Sequence, residues 1–194
     1  MKTPSFTQVS RPLFGAAILF ATGCAALHHQ PSPTPQPAPH HGCPAQLPVH
    51  YANTALKFSL CLPVHVKKGD ASAYPAGSVL LTGFSVPSGT NLESKQLLVI
   101  PAEDPNMQGA TAFGHLSVAG VNFQRVQADD GSAGHSTKHI VYTWKQGSKQ
   151  VHFDFALRAV NPDVFDPAHR PQQYNVAAQV KLTEDIMRTF QKLP

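Results

Sequence analysis

Residues 138–160 read KHIVYTWKQGSKQVHFDFALRAV, and this stretch decides the fold. Lys138 to Lys145 and Gln150 to Val160 both alternate with period two, the repeat of a strand whose side chains point to opposite faces. Ile140, Tyr142 and Trp144 share one face of the first run. Val151, Phe153, Phe155 and Leu157 share one face of the second, with His152, Asp154 and Arg158 on the other. Gly147–Ser148 between them is a tight-turn signal, so the two runs form an antiparallel hairpin.

Working outward, Leu56, Phe58, Leu60 and Leu62 alternate with Lys57, Ser59 and Cys61 and predict a first strand that stops at Pro63. Gly77 to Val86 and Gln96 to Ile100 supply two more strands. Val121 to Gln127 supplies another, separated from the hairpin by the turn-rich DDGSAGHS of residues 129–136. The segment from Asn161 to Asn175 holds Pro162, Pro167 and Pro171 and is irregular. The period then changes: Val176, Val180, Thr183, Met187 and Phe190 recur every three or four residues, which predicts one amphipathic helix against a sheet. Lys192 near its end suits the helix dipole. The expected class is α+β: a mostly antiparallel sheet with a C-terminal packing helix.

Two pieces of this plan carry a resemblance. YANTALKFSLCLP at residues 51–63 resembles the opening of small PsbP/Mog1-like domains, and TEDIMRTFQKL at residues 183–193 is similar to their last helix. Such domains often have a Trp shortly after the strand-ending Pro; here Pro63 is followed by Val64, His65 and Val66. The resemblance implies an α/β sandwich used mainly for binding or assembly, and it brings no catalytic set that maps onto this chain.

The N-terminal residues speak to location. Lys2 and Arg11 precede a short apolar run, LFGAAILFA at residues 13–21, and then Thr22, Gly23 and Cys24. A membrane span needs about 20 apolar residues, and this run is far shorter. The pattern is that of a signal peptide over residues 1–23. It resembles the bacterial lipoprotein signal, which implies cleavage between Gly23 and Cys24 and acyl chains on Cys24. Several chains on one cysteine anchor stably, where a single chain holds only marginally. Ala21 stands where that signal usually has Leu. Ala25, in place of the Asp that retains such proteins at the inner membrane of enteric-type envelopes, favours the outer membrane.

From His28 to Gly42 the chain reads HHQPSPTPQPAPHHG. Five prolines alternating with small or polar residues predict an extended spacer of about 3.1 Å per residue. Residues 24–42 are then a lipidated tether, and residues 43–194 one globular domain. His28, His29, His40 and His41 bracket the spacer as solvated residues, with metal binding as their alternative role.

Composition narrows the partners. The formal charge is +4, from 15 basic and 11 acidic residues. Loss of Lys2 and Arg11 with the signal leaves about +2, and there is no basic run of the kind nucleic-acid binding needs. The expected partners are the membrane, through the lipid on Cys24, and an envelope protein, glycan or lipid, with no nucleic acid. Once Cys24 is committed to lipid, Cys43 and Cys61 remain, an even pair that reads as a disulfide in an exported protein.

Chemistry is weakly signalled. The G-x-S-x-G, G-x-x-x-x-G-K-[ST] and H-E-x-x-H patterns are absent from the sequence. Asp129, Asp130, His135 and His139 form the densest polar cluster and are the candidate metal ligands, set against a solvated hairpin loop. His152, Asp154 and Arg158 share a strand face, either as the polar outside of a sheet or as part of a hydrolase site with a serine from elsewhere. Asp163 and Asp166 offer sparse oxygen ligands for Ca²⁺. No cofactor and no catalytic residue are assigned. The expected function is a non-enzymatic binding or assembly module on a lipid anchor, with a small envelope hydrolase or a metal-binding protein as alternatives.

Overall fold

The computed structural model describes residues 42–102, 109–132 and 134–194. The expected signal peptide, the expected lipidation site Cys24, the spacer sequence up to residue 41 and its four histidines lie outside the described residues. Ten strands and one α-helix follow in chain order: β1 Val49–Asn53, β2 Phe58–Leu62, β3 Lys67–Lys68, β4 Val79–Thr82, β5 Leu92–Ile100, β6 Thr111–Val118, β7 Val121–Ser132, β8 His135–Gln146, β9 Lys149–Val160, α1 Val176–Met187 and β10 Gln191–Lys192. They make a seven-stranded antiparallel sheet in the order β3-β4-β5-β9-β8-β7-β6 and a three-stranded sheet in the order β1-β2-β10. No helix among the described residues is long and apolar enough to cross a membrane.

The β8–β9 hairpin is the spine of the large sheet. Its register runs from His135↔Val160 to Gln146↔Lys149, closing on Gly147 at φ +64. Ile140, Tyr142, Trp144, Phe153 and Phe155 are buried on its core side. There Phe190, just beyond α1, sits edge-on to Trp144 at 5.1 Å and to Phe123 at 5.0 Å, while Phe58 of β2 meets Phe153 at 4.9 Å. Edge-to-face pairs put a positive ring edge on a negative ring face. One aromatic cluster thus joins both sheets and the residues after the helix.

The first predicted strand is shorter and more enclosed than its alternation suggests. Leu56 belongs to a turn in which its N–H donates to Asn53 Oδ1 at 2.9 Å, and all five residues of β2 are buried because β1 and β10 flank it. Cys43 and Cys61 lie at disulfide distance, with 5.5 Å between Cα atoms. The Cys61 N–H donates to Thr189 Oγ1 at 2.8 Å, which fastens β2 to the segment after α1.

Three expectations are corrected. The stretch 129–136 is not a wide loop: β7 continues to Ser132 and β8 begins at His135, paired down to Ser132↔His135. Opposite charges at Asp129↔Lys138 favour that pairing, so polar residues extend the hairpin instead of ending it. Lys192 is not at a helix end. The helix stops at Met187, and Lys192 pairs with Phe58 in β10. The reverse face of the hairpin is not a wet sheet surface either: His152 and Asp154 are buried beside Val141, Thr143 and Ala156, and only Arg158 is exposed.

The helix keeps part of the predicted stripe: Thr183 and Met187 are buried, Val176 and Val180 are half-buried, and Phe190 lies beyond its end. Asn175 caps it, its Oδ1 accepting from the Ala178 N–H at 2.9 Å, which meets one of the donors a helix start leaves open. Gln179, Thr183, Ile186 and Met187 form its buried stripe. Between β9 and α1 the chain makes only two short 3-10 turns, at Pro162–Val164 and Pro167–His169.

Candidate functional site

The structure scatters the candidate metal cluster. Asp129 takes both oxygens to Lys138 Nζ, at 2.6 and 2.8 Å. His135 faces Glu93 at 3.3 Å. His139 lies on the other side of the sheet, and Asp130 stands opposite Thr137 in an exposed position. Among the described residues no group of three or more His, Cys, Asp or Glu side chains is placed to hold a metal ion. Period two explains this, since Lys138 and His139 are neighbours in sequence and point to opposite faces. Asp163 likewise pairs with Arg170 at 3.4 Å.

His139 finds Asp154 instead, its Nδ1 lying 2.9 and 3.1 Å from the two carboxylate oxygens. The hydrogen bond to Asp154 raises the His139 pKa above the usual histidine range, against the opposing pull of burial. His152 does not share that carboxylate. Its Nδ1 is 2.9 Å from Thr143 Oγ1 and its Nε2 is 3.1 Å from the Ala102 carbonyl. A carbonyl only accepts, so Nε2–H donates to it, while Nδ1 and the Thr143 hydroxyl share a hydrogen bond. A hydroxyl on an oriented imidazole has the form of an activated nucleophile. Here, though, His152 is 2% exposed and Thr143 9%, so the pair is shielded from solvent.

Among the described residues, an accessible concave surface lies on the core side of the sheet, beside α1. At the start of the helix is a cleft of about 500 Å³ lined by Asp129, His135, Ser136, Lys138, Asn161 and Tyr174. Asn91, also in its wall, builds it. Its Oδ1 accepts from the Tyr174 N–H at 2.9 Å, its Nδ2 donates to the Val160 carbonyl at 2.8 Å, and its own N–H donates to the Gln172 carbonyl at 2.8 Å. One buried side chain therefore sets the path from β9 into the helix. Burial and, secondly, the nearby Asp129 carboxylate raise the pKa of the Tyr174 hydroxyl.

Val176 lines this cleft and also a longer groove of about 810 Å³ between α1 and the β6–β7 edge. The groove has Phe113, Val176 and Val180 as apolar wall and Arg125, Glu184 and Arg188 as its polar part. Arg125 Nη1 is 3.3 Å from Glu184 Oε2, and Arg188 holds the other oxygen of the same carboxylate. Lys181 and Asp185 pair one turn apart at 2.6 Å. Cleft and groove together form a trough along the helix. Neither Asn91 nor Arg125 stands out in the sequence: each is a lone polar residue whose partners come from distant segments, and no local spacing marks it.

No family model matches the chain, and no curated protein matches it. Among solved structures it is similar to the Ran-binding protein Mog1p of Saccharomyces cerevisiae, with 9% identity over 75% of this chain and 95% of that one and a TM-score of 0.49. It is also similar to a protein of Bacteroides thetaiotaomicron, with 11% identity over 71% of this chain and 46% of that one and a TM-score of 0.43. One fold hosts many functions, so likeness at this level assigns neither partner nor activity.

Proposed function

We propose that the protein is a lipid-anchored lipoprotein of a bacterial cell envelope, facing the periplasm, whose domain binds a partner through the trough along α1. The observation that carries the binding reading is the trough itself. Two cavities of ligand-binding size meet at Val176, and their charged groups are held in defined ion pairs, Asp129–Lys138 and Arg125–Glu184. Groups so held present a fixed pattern for recognition. The anchoring reading rests on the sequence around Cys24 and on the proline-rich spacer that follows it. The Cys43–Cys61 pair at disulfide distance supports an oxidising compartment. The spacer would display the domain away from the lipid surface, and the outer membrane is the favoured site.

A photoreactive residue placed at Gln127, in the trough, and separately at Arg158, on the opposite face, tests the binding reading in the native envelope. The expected result is one reproducible crosslinked species from Gln127 and none from Arg158. Equal labelling from both positions, or none from Gln127, would remove the trough as the binding surface.

A further inference from the structure

Phe113 is the extra residue of a β-bulge. Ala112 pairs with Val126 and Gly114 with Arg125, which leaves Phe113 without a partner in the ladder. Gly114 has φ +103, a backbone state that favours glycine. Bulges re-aim side chains, and this one brings Phe113 over the Arg125 guanidinium, 4.6 Å from carbon to ring centroid. The ring remains 45% exposed, so it contributes little to the core. The Tyr142 ring lies 5.5 Å from the same guanidinium carbon.

Arg125 is only 11% exposed, yet its buried Nε–H has no hydrogen-bond partner among the described residues. Buried donors are nearly always met, and an unmet one calls for an explanation. The charges around it do not cancel. Arg125 and Arg188 share the single Glu184 carboxylate, while Lys181 and Asp185 neutralise each other, so one positive charge is left over beside an apolar wall.

We propose that this groove binds a carboxylate carried on a small apolar body, with Arg125 as the anion anchor and Phe113 and Val180 against the apolar part. The assignment rests on the trough being the binding surface and gives that surface a ligand class. A guanidinium presents a planar fork that matches a carboxylate. A single negative charge balances the leftover positive one, whereas a phosphate dianion would leave one negative charge in excess beside the apolar wall. The groove volume of about 810 Å³ lies within the range of small-molecule sites. Phe113, exposed and on a bulge, is the group able to turn aside and admit the carboxylate to Nε.

The test is calorimetric titration of the exported full chain carrying Cys24→Ser, which has no acyl group of its own to compete. Octanoate is the probe and octanol the uncharged control. Octanoate is expected to bind at least ten-fold more tightly than octanol. Arg125→Gln should erase that difference, and Glu184→Gln should widen it several-fold by removing the competing carboxylate. The second variant keeps the test decisive if the first does not fold. Equal binding of the two probes, no octanoate binding at millimolar concentration, or indifference to Glu184→Gln would overturn the proposal. If Gln127 still crosslinks to an envelope partner in that case, this ligand class alone falls and the binding surface stands.

Discussion

Asn91 and Tyr174, 83 residues apart in sequence, are joined by a hydrogen bond from the Tyr174 N–H to Asn91 Oδ1 at 2.9 Å, and this bond fixes where α1 begins relative to the sheet. The other end of the same amide holds the Val160 carbonyl, so Asn91 sets the floor of the cleft from both strand and loop. Replacing it with Ala leaves a buried N–H and a buried carbonyl without partners, each costing about 1–3 kcal/mol. Asn91→Ala is expected to lower stability by about 2–4 kcal/mol in urea unfolding. A loss below about 0.5 kcal/mol, the range of a neutral surface change, would contradict the clasp.

Phe190 is the hub of the aromatic cluster, within 5.0–6.2 Å of Phe58, Phe123, Trp144 and Phe153 by ring centroids. Removing a buried Phe side chain costs about 3–5 kcal/mol through lost transfer energy and the cavity left behind. Phe190→Ala should fall in that range and lower the melting temperature accordingly. An unchanged melting temperature would mean that the segment after α1 does not dock as described.

His139 is paired with Asp154 at 2.9 Å. Because the folded-state pKa is raised above the unfolded value of about 6.5, the pair's contribution is fully present below about pH 6.5 and is lost as pH rises through the folded pKa. The stability advantage of the native chain over His139→Gln should therefore shrink between about pH 6 and pH 9. A difference constant with pH would show that folding does not raise the His139 pKa.

Cys43 and Cys61, 18 residues apart, close a short loop where the spacer meets the domain. In the chain-entropy account a loop of this size contributes about 3 kcal/mol. Reduction, or replacement of both cysteines by Ala, should lower the unfolding midpoint by a matching amount without changing the fold seen by circular dichroism. Equal midpoints with and without reductant would show that the bridge does not constrain the unfolded chain.

These residues also show what the sequence could disclose. The β8–β9 hairpin was legible because alternation and the Gly147–Ser148 turn agree, and α1 because its period changes cleanly at Val176. β6 was missed for a physical reason. It is an edge strand, with five of its eight residues exposed in succession, so no buried face imposes an alternation. The two-residue β3 and β10 carry too few residues for any period. At the candidate site, density marks Asp129, Asp130, His135 and His139, yet the pleat sends Asp129 to the face opposite His139, and His135 pairs with Glu93. Asn91 and Arg125, which organise the trough, take their meaning from long-range pairing that no local pattern encodes.

On the function proposed above, lipid on Cys24 displays the domain from a membrane. Mass spectrometry of the N-terminal peptide of the protein isolated from its native envelope tests it most directly. The expected result is a chain whose first residue is Cys24, its mass increased by acyl groups, in the membrane fraction, with Cys24→Ser abolishing both the modification and the membrane retention. A mature chain that begins elsewhere, or an unmodified Cys24 in a protein still held by the membrane, would contradict it.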